Sequence, residues 1–185
     1  MSTLFVDTIN EKTTNNGIFI PGHVVQTVHA TTNSRTSVTG AGTFTSLLTL
    51  NITPKSSSSN ILITCMFNGA STNRYAAIKL FRTVGGTSTQ IAKNSDASGN
   101  RTPVWFEVFG NHQVWTTDQW QFQTYNHNGM FYDSPSTTSQ ITYAIHGGNT
   151  TNSGTLWMNR QTYGDDDAAW NHYPQTNLTA QEIGG

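Results

Sequence analysis

The sequence predicts an all-β protein, an antiparallel sandwich or barrel, and three observations lead there. Thr, Ile and Val make up 51 of the 185 residues, and their branched Cβ atoms are stiff at χ1 and suited to a pleated surface. Residues that favour helices are scarce, with Glu and Lys together seven and Leu eight. Short apolar runs recur between turn signals rich in Gly, Asn, Pro and Ser, the spacing expected of a sandwich or barrel. No helix of ten residues fits anywhere, and no repeat of fixed period is present.

Taken in order, residues 1–21 differ from the rest. Thr3 to Ile9 reads as a strand with apolar residues on both faces, Leu4, Phe5, Val6 and Ile9. A polar loop leads to a second apolar piece with Ile18 and Ile20. Two such pieces cannot enclose a core of their own. They form an attachment arm that must pack on the main domain, on a copy of itself or on another protein. Residues 22–185 form the main domain. Its strands run from His23 to His29, from Ser46 to Ile52 and from Ile61 to Phe67, the last apolar on both faces and therefore expected to be central and covered on both sides. Tyr75 to Thr83 pairs with Thr89 to Lys93 across the Val84-Gly85-Gly86 turn as a hairpin. Further strands are Pro103 to Phe109, the alternating Gln119 to Tyr125, Gln140 to His146, Thr155 to Asn159 and Leu178 to Ile183. Tyr132-Asp133 falls in a loop.

Charge excludes several functions. The net charge is -1 and only 10% of residues are charged, so there is no basic footprint for nucleic acid or an anionic membrane. Polarity comes from Thr, Ser, Asn and Gln, 75 residues in all. The single cysteine, Cys65, lies in the run Ile61 to Phe67 and reads as a small buried hydrophobe. No apolar stretch approaches ~18 residues, so no membrane insertion is expected. Met1 to Asp7 lacks the basic and apolar regions of a signal peptide, so synthesis in a cytoplasm is expected.

Catalytic and metal signatures are missing. The six histidines show no metal-ligand spacing. Asp165-Asp166-Asp167 lacks the pattern of a Ca²⁺ loop and reads as solvated. No nucleophile elbow, carboxylate pair or phosphate loop can be placed. Neither an enzyme nor a metal or other cofactor is expected.

The richest feature is aromatic. Trp105 to Tyr132 and Trp157 to Tyr173 concentrate the rings. Phe106, Trp120 and Phe122 alternate as core residues should. Trp115, Tyr132-Asp133 and Trp170-Asn171-His172-Tyr173 instead sit among Asn, Asp and His. A flat ring flanked by amides and carboxylates suits a sugar; a ring buried between subunits is the even alternative. The glycan reading selects Trp115, Tyr132, Trp170 and Tyr173, with Asp133 and His172 as polar contacts.

Ser2 to Ile9 and Asn16 to Gln26 resemble the opening of small structural proteins of tailed bacteriophages of the marine and cyanobacterial type. Ile52-Thr53-Pro54-Lys55-Ser56 to Ile63, Ile141-Thr142-Tyr143, Gly154 to Arg160 and Leu178 to Ile183 are similar to further segments of that family. The resemblance implies a jelly-roll domain, commonly trimeric, in a fibre, tail or head-decoration protein of the virion. It implies host attachment or assembly and no catalytic residue. The expected partners are two further copies of the chain, other virion proteins and a host surface glycan. In a homotrimer Leu4, Phe5, Val6, Ile9, Ile18 and Ile20 would be covered rather than face water.

Overall fold

The computed structural model describes residues 8, 20–72, 75–95, 99–109, 124–151, 153–161 and 172–185. Among these there are eleven strands: β1 (Val24–Thr32), β2 (Thr36–Thr39), β3 (Phe44–Ile52), β4 (Asn60–Ser71), β5 (Ala76–Val84), β6 (Thr87–Ile91), β7 (Phe106–Glu107), β8 (Tyr125–Asp133), β9 (Ile141–Asn149), β10 (Thr155–Met158) and β11 (Thr176–Ile183). Every strand pairing is antiparallel. One sheet runs β1-β11-β4-β8, with β10 and β2 continuing beside the far end of β4. The other runs β3-β9-β5-β6, with β7 on β5. Setting aside the short β2, β7 and β10, the eight remaining strands follow the double Greek-key path of a jelly roll.

The alternation of the sequence decides which face is core. Ile61, Ile63, Cys65 and Phe67 of β4 point inward with Leu178 and Ala180 of β11, against Ile78 and Leu80 of β5 and Ile141, Tyr143 and Ile145 of β9. Cys65 is buried as the sequence predicts, and burial pushes its thiol up to about 12. The β5–β6 hairpin has the predicted Gly85-Gly86 turn, both glycines at positive φ (55° and 82°), which fits the primed turns that match strand twist.

Several expectations are corrected. β4 is central, but over Ile61 to Phe67 its outer face is not fully covered: outward Leu62 is half-buried and Met66 exposed. Of Pro103 to Phe109 only Phe106–Glu107 is strand, flanked by backbone hydrogen bonds from Trp105 to Ile78 and from Val108 to Ala76 of β5. β2 was absent from the prediction, because Thr36–Thr39 is four residues with a single aliphatic one, Val38. Tyr132-Asp133 is not loop but the end of β8, paired with Ile61 and Leu62 of β4. Asn126, Asn128 and Gly129 disguise this strand, since all three are poor strand formers. Gly129 has a packing reason: a Cβ there would lie 2.6 Å from the Phe106 ring and 2.7 Å from that of Trp105.

Two buried carboxylates fasten the sandwich. Asp133 accepts from Arg82 Nη1 of β5 at 2.7 Å and from the Tyr143 hydroxyl of β9 at 2.7 Å, so it ties β8 to the opposite sheet. Glu182 of β11 accepts from the backbone N–H of Lys55 at 2.7 Å and from Gln26 Nε2 at 2.6 Å, fixing the β3–β4 connection. Burial, and then the hydrogen bond to Asp133, push the Tyr143 phenol far above its ordinary range.

Candidate functional site at the end opposite the chain's entry

The fold has two ends of different character. At one, Gly22 donates to the Gly184 carbonyl and Gly184 donates to that of His23, while Ser58 Oγ donates to the Gly185 carbonyl. The point where the chain enters β1 therefore lies beside the end of β11 and the β3–β4 connection. Ile20 and Val24 are exposed there. Leu4, Phe5, Val6, Ile9 and Ile18 lie outside the described residues.

The opposite end is roughly 25 Å away, eight residues along β4 from Ile61 to Gly69 at ~3.3 Å each. There β8 begins at Tyr125, paired with Gly69, and β11 begins at Thr176, paired with Thr32. Phe109 lies against Tyr125, ring centroids 5.1 Å apart, and its backbone N–H donates to His127 Nε2 at 3.3 Å. Asn159 donates from its backbone to the Asn68 carbonyl and from Nδ2 to that of Thr32. Both aromatic-rich segments thus leave and rejoin the described structure here, 110–123 between Phe109 and Thr124, and 162–171 between Gln161 and His172. Trp115 and Trp170 belong to them and lie outside the described residues.

An amide chain crosses this end. Asn128 Nδ2 donates to Asn126 Oδ1 at 2.7 Å, Asn126 Nδ2 to Asn68 Oδ1 at 3.2 Å, and Asn68 Nδ2 to the Gln175 carbonyl at 2.6 Å. Phe109 is 62% exposed and Tyr173 46%. The Arg35 guanidinium sits 4.7 Å from the centre of the Tyr173 ring, and His172 is exposed. Open rings beside amide groups have the donor, acceptor and apolar surfaces that a sugar needs.

The predicted site residues do not all gather here. Tyr132 is in register with Leu62 near the entry end, whereas Tyr173 precedes Thr176 at the other. The two rings therefore belong to different surfaces. Asp133 faces inward and its carboxylate is taken by Arg82 and Tyr143, because successive strand residues point to opposite faces. Phe109, Tyr125, His127 and the Asn68-Asn126-Asn128 chain were missed. Register alone assembles them, from positions nearly sixty residues apart.

A second feature lies on the outer face of β1-β11-β4-β8. Three rows cross it in register: Thr27-Gln181-Leu62-Tyr132, His29-Thr179-Thr64-Met130 and Thr31-Asn177-Met66-Asn128. A shallow trough of about 400 Å³ is lined by Thr64, Met66, Asn128, Met130, Asn177 and Thr179. Among the described residues no group of three or more His, Cys, Asp or Glu could hold a metal ion.

Two histidines respond to burial. His127 is held below its ordinary value by burial, and His146 by burial and then by the charge of Lys79. The unfolded chain therefore binds more protons than the folded one just below pH 6.5, so stability falls as pH drops through that window. Chemical denaturation at pH 7.5 and pH 5 should show this loss, and His127→Gln should reduce it. An equal loss in that variant would assign the slope to other groups.

No protein-family model and no curated protein matches the sequence. Among solved structures the chain is similar to the VP2 protein of infectious bursal disease virus in its subviral particle, at 13% identity and a TM-score of 0.34, over 86% of this chain and 38% of that one. The chain spans less than two-fifths of that protein's length.

Proposed function

We propose that this is a virion structural protein that attaches to the particle by its arm and binds a host surface glycan at the far end of its jelly roll. It acts by binding rather than by catalysis, and its copies form a homotrimer. The observation that carries the reading is the polarity of the fold. The chain enters beside Gly184 at one end, and Phe109, Tyr125, Asn159 and Tyr173, which flank 110–123 and 162–171 in the sequence, lie at the other. An attachment protein needs this separation, because the particle and the host cell must be held apart. The resemblance of Ser2 to Ile9, Asn16 to Gln26 and Ile52 to Ile63 to phage structural proteins supports the virion assignment. The high Thr and Asn content and the low charge, 10% of residues, suit a neutral ligand better than nucleic acid.

Particles carrying Phe109→Ala, Tyr173→Ala, Trp115→Ala or Trp170→Ala test it. Loss of a central anchor ring costs ~2 kcal/mol or more of binding, about thirtyfold in affinity. Adsorption to host cells should fall by that order for at least one of these variants with the melting temperature unchanged. Unchanged adsorption in all four would leave a purely architectural protein, such as a head-decoration or tail-adaptor subunit.

A further inference from the structure

We infer that His127 positions Phe109 for the ligand, and that it does so only in its neutral form, so that acid frees Phe109 and weakens binding. The inference rests on the reading of this end as the ligand surface and adds its control by pH.

The contact has a direction. The Phe109 backbone N–H donates to His127 Nε2 at 3.3 Å. An imidazole nitrogen accepts only when it carries no proton, so the neutral ring must hold its single proton on Nδ1. The Phe109 side chain is 62% exposed, and the ring it rests on is that of Tyr125. With so little of the side chain covered, the backbone hydrogen bond is a large share of what fixes its place.

The surroundings disfavour a charge on the ring. His127 stands in register with Phe67 of β4, a fully buried core residue. The His127 ring centre is 6.3 Å from that of Phe67 and 6.5 Å from that of Tyr125. The titratable groups on the strands packed around it are Tyr125 of β8, Cys65 of β4 and Glu107 of β7. Burial raises the Tyr125 phenol and the Cys65 thiol, so both are uncharged near neutral pH, and Glu107 is exposed. On β5, Lys79 lies over the Phe44 ring and Arg82 is taken by Asp133. Among the described residues no carboxylate is placed to balance a positive charge on His127.

The sign follows from these contacts. Burial holds His127 below its ordinary value, whereas a ring released to water titrates near ~6.5. Protonation is therefore coupled to release. The contact is complete above that ordinary value and is lost as pH falls through the lower one. A proton on Nε2 turns the acceptor into a donor facing the Phe109 N–H.

NMR of the isotope-labelled full chain tests the contact. At pH 7.5 the His127 ring should be the Nδ1–H tautomer. Between pH 7.5 and pH 5 the His127 ring and the Phe109 amide should titrate with one midpoint. Protection of that amide from hydrogen exchange should fall about fivefold to tenfold, the worth of one hydrogen bond, while the amides of β4 stay protected. His127→Gln, whose Oε1 accepts without titrating, should keep Phe109 protected at both pH values. His127→Phe, a ring with no acceptor, should leave it unprotected at both. An Nε2–H tautomer, or a Phe109 amide indifferent to the titration, refutes the inference. Adsorption of particles tests the control of binding. The wild type should adsorb about fivefold less at pH 5 than at pH 7.5, His127→Gln equally at both, and His127→Phe poorly at both. Coupled titration with level wild-type adsorption would overturn the control of binding. Phe109→Ala that adsorbs normally would show instead that the ligand reading itself fails at this ring.

Discussion

Replacing Asp133 by Ala should lower the stability of the domain by about 3–5 kcal/mol, the cost of removing one partner of a buried ion pair. The carboxylate is 6% exposed and serves two inward-pointing donors, Arg82 Nη1 and the Tyr143 hydroxyl, both at 2.7 Å. Arg82 and Tyr143 are themselves opposite one another on β5 and β9. Without Asp133 the buried Tyr143 hydroxyl has lost this acceptor and carries its desolvation cost, while the Arg82 guanidinium, whose side chain is 26% exposed, loses its counter-charge and is met in part by water. A domain stable by ~5–15 kcal/mol would lose a large part of its margin. At this chain length that is a fall of roughly 6–20 °C in melting temperature, at ~2–4 °C per kcal/mol. Tyr143→Phe, which removes one hydrogen bond and leaves the ion pair, should cost only about 1 kcal/mol. Urea denaturation of the two variants checks the ranking. A loss below 1 kcal/mol for Asp133→Ala would mean that Arg82 reaches another acceptor.

The same residue shows how far the sequence could be read. β-branched content, the Gly85-Gly86 hairpin and the alternations in β3, β4, β9 and β11 are local signals, and local signals are what a single chain displays. β8 has none: Tyr125 to Asp133 mixes Asn, His and Gly with scattered rings, and its strand conformation comes from nine-residue register with β4. Tertiary pairing here overrides propensity. Asp133 beside an aromatic residue looks like a sugar contact in one dimension. In three it is the inward member of an alternating pair, and Tyr132 is the outward one.

The candidate site was legible in its chemistry and not in its geometry. Rings beside amides are visible in the sequence around Trp157 to Tyr173. That Phe109, Tyr125 and the Asn68-Asn126-Asn128 chain share one end with Tyr173 depends on where four strands start and stop. Likewise the uncharged outer face is a property of register. Thr27, Gln181, Leu62 and Tyr132 are separated by up to about 150 residues yet form one row. Composition hinted at it only through the low overall charge.

Deleting residues 1–21 should abolish incorporation into particles while leaving the jelly roll folded. The described strands begin at Val24, and the contacts that close the entry end, from Gly22 to Gly184 and from Gly184 to His23, survive the deletion. Only the hydrogen bond from the His23 backbone to the Ile20 carbonyl is lost among those described, about 1 kcal/mol. Far-UV circular dichroism and a cooperative melt near that of the full chain are therefore expected. Incorporation should drop to background, since the truncation removes the apolar residues Leu4, Phe5, Val6, Ile9, Ile18 and Ile20. Because the proposed ligand end lies roughly 25 Å from the cut, the free domain should still bind host cells and compete with intact particles for adsorption. Loss of cooperative melting would place the arm within the core. A truncated chain that still enters particles would move the attachment surface onto the jelly roll itself.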